Sequence, residues 1–308
     1  MSTESPAVLI VGSVALDSLE TPYGAANDTL GGSAVYGSLA CSMLAPVRLV
    51  GVVGSDYPSE GIELLTSKGV DLEGLEVIEG GETFRWSGRY DGDLGAAETL
   101  ETHLNVFADF SPKLPGDYAN TPYVFLANIQ PGLQAQVLEQ VASPLLSMCD
   151  TMNLWLDTVP DEVEAMIGKV DIALMNDAEA QQLTQESHLI AAAEKTLKLG
   201  AKRSIVKKGE HGAFICTDDG CRFIPPYPTT RIIDTTGAGD TFAGGVIGHL
   251  ASTGDLSDDN LMRAAAVGTV LASFCVEELG VKGLAAATRE DLEERYEALE
   301  KSSRIPSL

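Results

Sequence analysis

The run Asp234-Thr235-Thr236-Gly237-Ala238-Gly239-Asp240 places two glycines and a carboxylate at the start of a helix. Arg231–Ile233 reads as a strand leading into it, and Ala238–Leu250, small and apolar, reads as the helix that follows. Glycines there let a ligand approach the backbone, and unpaired N–H groups together with the helix dipole favour an anion. A carboxylate beside an anion is repulsive unless it has a task of its own. Taking a proton from a hydroxyl during phosphoryl transfer is such a task, and Asp240 is placed for it. Local physics leaves a second account open, in which Asp240 complements the dipole and the glycines only turn the chain. A dinucleotide fingerprint is excluded, because Phe242 stands where its third glycine would be, and no G-K-[ST] run of a Walker loop occurs.

Other candidates stand apart along the chain. Asn176 and Glu179 follow an apolar run, where an amide and a carboxylate suit hydrated magnesium or, equally, a helix cap. Lys207, Gly209 and Gly212 form a glycine-spaced turn. Asp17 follows the first apolar run, and Gly31-Gly32-Ser33 precedes a helix of small residues. Arg85, Arg89, His103 and Asn105 lie in a segment of alternating character. Arg85 and Arg89 share a strand face if no bulge intervenes, which suits an anionic acceptor, although both can simply solvate that face and pair with local acids.

The elements that must position these residues follow a strand–helix rhythm. Strands are expected at Ala7–Val11, Arg48–Val53, Tyr123–Ala127, Met152–Leu156, Asp171–Met175 and Arg203–Lys207. Ala213–Cys216 and Arg222–Ile224 read as a hairpin. Helices are expected at Pro58–Lys68, Gln134–Val141, Asp161–Ile167, Leu189–Leu199, Leu261–Val276 and Arg289–Leu299, the last capped by Thr288 with Asp291. Alternation of this kind implies a parallel sheet covered on both faces. The stretch 81–110 breaks the rhythm and reads as a small inserted sheet.

The chain has 308 residues, 44% of them hydrophobic, and a net charge of −25. So acidic a surface argues against nucleic acid or anionic membrane as partners. The first residues carry no basic stretch before a short apolar run, and no apolar stretch is long enough to span a bilayer, so a cytoplasmic protein is expected. Five scattered cysteines read as reduced thiols, and four histidines show no metal-ligand spacing.

Asp234–Gly245 closely resembles the C-terminal signature of the ribokinase-like, or PfkB, carbohydrate kinase family, and the match is nearly unbroken over its twelve residues. The resemblance implies a ribokinase-like three-layer α/β sandwich over 1–308, with a central, mostly parallel sheet and a small antiparallel β lid built from about 14–30 and 81–110. It implies transfer of the γ-phosphoryl group of ATP to a hydroxyl of a sugar or related small molecule. Asp240 would be the base, and the backbone of Gly237, Ala238 and Gly239 the anion hole. Thr236, Lys207, Gly209 and Gly212 would lie along the nucleotide, Arg263–Ser273 and Gly280 around its adenine, and Asn176 and Glu179 beside Mg²⁺. K⁺ near Asp234 is a further cofactor the resemblance allows. Asp17, Gly31 and Gly32 would meet the acceptor, with Arg85, His103 and Asn105 as lid candidates. Lid strands that pair between subunits would give a homodimer. One departure stands out: many relatives carry Asn a few residues after the glycine pair, where this chain reads Ser33-Ala34-Val35-Tyr36. That points to an acceptor other than ribose, or to acceptor contacts supplied from elsewhere in the chain. Two alternatives are kept: a nucleoside kinase of the same fold, stacking its base on Phe84, Trp86 or Tyr90, and a noncatalytic nucleotide- or sugar-binding regulator.

Overall fold

Short apolar runs without polar alternation must be covered on both faces, and they form the middle of the structure. The computed structural model describes residues 5–92, 94–95 and 97–304. The first four residues of the N-terminal reading, and positions 93 and 96 of the expected lid, lie outside the described residues.

The main sheet has nine strands, numbered in chain order: β1 (Val8–Val11), β4 (Val47–Gly54), β5 (Val70–Ile78), β8 (Tyr123–Leu126), β9 (Leu146–Cys149), β10 (Ile172–Asn176), β11 (Arg203–Lys207), β12 (Ala213–Thr217) and β13 (Gly220–Ile224). Their spatial order is β13-β12-β11-β10-β9-β8-β1-β4-β5. Every neighbour pair from β11 to β5 is parallel, and β12 and β13 run antiparallel at one edge. Helices α1 (Ser33–Ser42), α2 (Ser59–Ser67), α8 (Ala238–Thr253), α9 (Asp258–Cys275), α10 (Lys282–Ala286) and α11 (Arg289–Ser303) cover one face, where Val35, Ala243 and Ala264 join the core. Helices α3 (Pro131–Gln140), α4 (Asn153–Thr158), α5 (Pro160–Ile167), α6 (Asp177–Thr184) and α7 (Leu189–Lys198) cover the other, around Val137, Val163 and Ala192. These are the three expected layers. No helix among the described residues is long and apolar enough to cross a membrane.

A second sheet holds β2 (Ala15–Thr21), β3 (Gly24–Gly31), β6 (Phe84–Arg89) and β7 (Glu98–His103), in the order β3-β2-β6-β7. It is mixed rather than wholly antiparallel, because β2 and β6 pair in parallel. A bulge interrupts the β6–β7 pairing between Ser87 and Gly88, but its extra residue is Leu100 of β7; β6 pairs with β2 without a break, so Arg85 and Arg89 share one strand face. The sheet is anchored at its base by Asp56, which accepts hydrogen bonds from the Thr83 backbone and hydroxyl and an ion pair from Arg85. Phe84 stacks on Phe107 and Phe107 on Phe110, a column that joins β6 to the segment after β7.

Several sequence expectations need correction. Met152–Leu156 is not a strand: β9 lies at Leu146–Cys149, buried throughout, and α4 begins at Asn153. Arg231–Ile233 is not a strand either. The N–H groups of Ile233 and Asp234 bond to the carbonyl of Val276, at the end of α9, instead of to a sheet neighbour. Cys216 and Cys221 are not reduced thiols. They face each other across the β12–β13 hairpin and form a disulfide, while Cys41, Cys149 and Cys275 are free and buried. Pro58 sits just before α2 rather than inside its first turn.

Helices α1 and α8 pack closer than side chains would allow. A methyl group added at Gly244 would overlap the carbonyl oxygen of Gly37, whereas one at Gly248 would meet Cys41 Cα at 3.1 Å. Backbone atoms cannot rotate away, so Gly244→Ala must push the helices apart. It is expected to destabilise the protein by about 1–3 kcal/mol, and Gly248→Ala by less. Thermal unfolding of both variants checks this; equal midpoints would show that the α1–α8 spacing tolerates a methyl group.

Candidate active site

Open parallel sheets bind ligands beyond the C-terminal ends of their strands, and the candidate residues gather there. Gly237 precedes α8 in the left-handed conformation, φ 71°, and Thr241 N–H bonds to its carbonyl at 2.8 Å. Its α-carbon lies against the ring of Tyr36, where any side chain would overlap. Backbone conformation and close approach therefore both require glycine. Beyond it, the Ala238 N–H bonds to the carbonyl of Thr235 at 3.3 Å, and the N–H groups of a helix start have no partner within the helix. Asp234 secures the approach to this turn. Its carboxylate, 1% exposed, accepts from the N–H groups of Thr236 and Gly280 at 2.9 Å each.

Asp240 keeps some solvent contact at the start of α8. Burial pushes its carboxyl from 3.8 up to about 7, Asp150 adds to the rise, and Lys207 opposes it. Lys207, at the end of β11, reaches across to the helix start: a methyl group at Gly239 would lie 3.2 Å from its Nζ. The ammonium is paired with Asp150, which is 3% exposed on its side chain. Burial opposes the charge on Lys207, but Asp150 and then Glu179 outweigh it and hold the ammonium above its usual range.

Asn176 and Glu179 form a reciprocal cap on α6. The Asn176 Oδ1 accepts from the Glu179 N–H at 2.8 Å, and Glu179 accepts from the Asn176 N–H at 2.8 Å and from its amide at 2.6 Å. The capping account of this pair is thus met. Burial raises the Glu179 carboxyl to about 7, against the pull of Lys207. Asp150 and Lys207 lie at the ends of the neighbouring strands β9 and β11, and Glu179 lies in the first turn of α6, which follows β10 between them. Two buried carboxylates against one ammonium leave negative charge to spare, a donor set that suits hydrated magnesium.

The acceptor-side candidates collect at the start of α1. Asp17 is 4% exposed, packed against Gly31, and accepts a hydrogen bond from the Gly32 N–H. Burial raises its carboxyl to about 7, and the charges of Asp234 and Asp240 add to the rise, which brings all three into one neighbourhood. Ser13 and Ser33 exchange hydrogen bonds between hydroxyl and backbone, and Ser33 Oγ also donates to the carbonyl of Asn128. These contacts join the ends of β1 and β8 to the start of α1.

The lid candidates are not brought to this cluster. Arg85 is paired with Asp28 and Asp56, His103 lies 3.1 Å from Glu101, and the Asn105 amide donates to the carbonyl of Thr83. Gly209 and Gly212 make the turn between β11 and β12, with Gly212 packed against the carbonyl of Ile224. Of the three aromatics considered for stacking, Phe84 is engaged with Phe107, and the Trp86 indole N–H donates to Thr99. Tyr90 reaches the cluster, with its hydroxyl 2.9 Å from Thr236 Oγ1.

Two participants escape the sequence reading. Asp150 was hidden by the misplaced strand: with β9 at Leu146–Cys149, it becomes the first residue past a buried strand, as Glu179 nearly is for β10. The Tyr36 ring packs against Gly237, and its hydroxyl is buried with no partner among the described residues. Nothing local in the sequence signals that.

The model of the pfkB carbohydrate kinase family matches residues 29–287. A cytidine kinase of Thermococcus kodakarensis is 25% identical over 78% of this chain and 87% of its own. An inositol 3-kinase of Arabidopsis thaliana is 24% identical over 89% and 74%. Among solved structures, a Methanocaldococcus jannaschii nucleoside kinase of the ribokinase family superposes with a TM-score of 0.77 at 22% identity, covering 96% of this chain and 99% of that one. A Burkholderia thailandensis nucleoside kinase in complex with ADP-inosine gives 0.79 at 20%, covering 98% and 99%. At these identities the structural likeness establishes the fold.

The raised carboxyl of Asp17 carries a consequence for stability. A carboxyl whose folded value lies above its unfolded one stabilises the fold below the unfolded value, and that contribution is lost as pH rises through the folded value. Asp17→Asn is therefore expected to match the parent near pH 4 and to exceed it near pH 8 by on the order of 2–4 kcal/mol. Chemical denaturation at both pH values checks this; equal stability at the higher pH would mean that the charged Asp17 is fully solvated or paired.

Proposed function

This chain belongs to the pfkB family of carbohydrate kinases, and from that premise we propose that it transfers the γ-phosphoryl group of ATP to a hydroxyl of a nucleoside, with Asp240 as the base. The observation that carries the chemistry is the meeting of Lys207, Gly239 and Asp240 at the start of α8. A cation, the start of a helix and a carboxylate of raised proton affinity meet at this point. A plain sugar acceptor was the first expectation from sequence. The nucleoside reading is preferred because the cytidine kinase covers most of this chain, and because Tyr90 brings an aromatic ring to the acceptor side. The inositol 3-kinase keeps a polyol as the second reading.

In the proposed reaction the acceptor lies between Asp17 and Asp240, its hydroxyl hydrogen-bonded to Asp240. The ATP phosphates lie against the first turn of α8 and Lys207, and the nucleotide extends over the turn at Gly209 and Gly212. Asp240 takes the hydroxyl proton as the oxygen attacks in line. The N–H groups of the Gly237–Gly239 turn and the Lys207 ammonium stabilise the charge that spreads over the transferring group. Asp17 orients the acceptor through a second hydroxyl. Asn176, Glu179 and Asp150 would hold magnesium through its waters, and the ion, when bound with ATP, supplies positive charge to the phosphates. A noncatalytic binding role fits poorly, because a pure binder has no use for a carboxyl of raised proton affinity beside a phosphate site.

The test is ADP release from Mg·ATP over a panel of nucleosides, sugars, sugar phosphates and polyols. A nucleoside is expected to stimulate release most. Asp240→Asn should lower kcat by about 10²–10⁴-fold while ATP binding persists. The base must be unprotonated, so kcat/KM for the parent should fall as pH drops through about 7. An acceptor that works equally well with Asp240→Asn would remove Asp240 from the role of base. Stimulation by polyols alone would favour the second reading.

A further inference from the structure

The lid does not merely overhang the crevice; one segment of it enters. Strand β7 is exposed along its whole length, but Tyr90 and Leu94, between β6 and β7, are 8% and 5% exposed. Leu94 adopts the left-handed conformation, φ 51°, which is uncommon for a residue other than glycine and persists where the surroundings hold it. Two hydrogen bonds hold this segment to the loop that leads into α8. The Tyr90 hydroxyl lies 2.9 Å from Thr236 Oγ1, and Thr235 Oγ1 donates to the carbonyl of Leu94 at 2.9 Å. The Tyr90 N–H donates to the carbonyl of Glu20 at 2.8 Å, so the same residue is also tied to β2. Thr236, in turn, donates its N–H to Asp234 and precedes Gly237. A contact made by a lid residue therefore bears on the residue next to the anion-binding turn.

We propose that Tyr90 is a positioning residue: its hydroxyl latches the lid to Thr236, so that closing the lid over the acceptor and setting the turn before α8 are one event. The inference rests on the kinase reading for its consequence but not for its geometry. With the latch formed, the turn at Gly237 is held in its phosphate-binding shape and water is shut out from above. With the latch open, acceptor enters, and the turn is less well ordered for transfer. The latched state thereby favours transfer to the acceptor over transfer to water, because it orders the turn and excludes water together.

Tyr90→Phe keeps the ring and removes the hydroxyl; Thr236→Val removes the partner and serves if the first variant folds poorly. Hydrogen exchange on the full chain, without ligands, is the first readout. Loss of one hydrogen bond should speed exchange about five- to tenfold in the segment around Tyr90 and equally in the segment around Thr236. Faster exchange around Tyr90 alone would overturn the proposal. The second readout is ADP released per acceptor phosphorylated. The ratio should rise in either variant, because transfer to the acceptor falls more than acceptor-independent ADP release once water is no longer shut out, and the double variant should be no worse than the singles. A purely structural defect would lower both activities together and leave the ratio unchanged, which would also overturn it. If the parent transfers phosphate to none of the acceptors, the kinase reading fails, and the exchange measurement alone decides the latch.

Discussion

Buried negative charge exceeds buried positive charge at this crevice, and the rest of the site is arranged around that imbalance. Asp17, Asp150, Glu179 and Asp234 are almost fully enclosed and Asp240 partly so, while the Lys207 ammonium faces Asp150, Glu179 and Asp240. Backbone N–H groups answer Asp234, and Lys207 answers Asp150. Asp17, Glu179 and Asp240 are left to hold protons near neutrality or to await a cation. The imbalance also sorts ligands by position. Phosphates are tolerated only along the start of α8 and Lys207. The Asp17 side suits a neutral, hydroxyl-rich molecule that can donate hydrogen bonds. An anionic acceptor has little to meet it, because Arg85 is spent on Asp28 and Asp56, and Arg89 on Glu20 and Glu98.

How much of this the sequence discloses depends on how local each feature is. The parallel sheet was legible because its strands are continuous apolar runs such as Val8–Val11 and Ile172–Met175. The turn before α8 was legible because glycines and a carboxylate are packed into seven residues. Strand β5 was not, since its exposed acidic positions at Glu73 and Glu76 hide the pattern of an edge strand. Strand β9 was displaced because Met152–Leu156 is as apolar as the true strand; only the sheet neighbours β8 and β10 decide between them. That single displacement concealed Asp150. The disulfide was likewise out of reach. Cys216 and Cys221 are brought face to face by the register of a hairpin whose turn residues were recognised but whose pairing was not carried through to the cysteines.

The lid shows the same division. Its location followed from alternation and turn residues, but the destiny of each side chain did not. Arg85, His103 and Asn105 look like ligands in a list of residue types, and each is occupied by a neighbour on or beside the lid. Tyr90 differs because it lies just past the end of β6, where the chain leaves the sheet and turns down toward Thr236. Function in such a sheet is carried by what hangs from its ends more than by its faces.

The glycine contacts between α1 and α8 have a consequence for how the protein can change over time. A side chain at Gly244 would strike the backbone at Gly37, and one at Gly245 would come within 2.8 Å of Gly268 Cα, so no single replacement there finds room. At Gly237 two independent obstacles, the Tyr36 ring and the left-handed backbone, would have to be removed together. The floor of the crevice is closed to stepwise drift. Strand β7, exposed at every position, meets no such barrier. Diversification of the acceptor is therefore expected to proceed through the lid, one substitution at a time, over a phosphoryl-side floor that stays as it is.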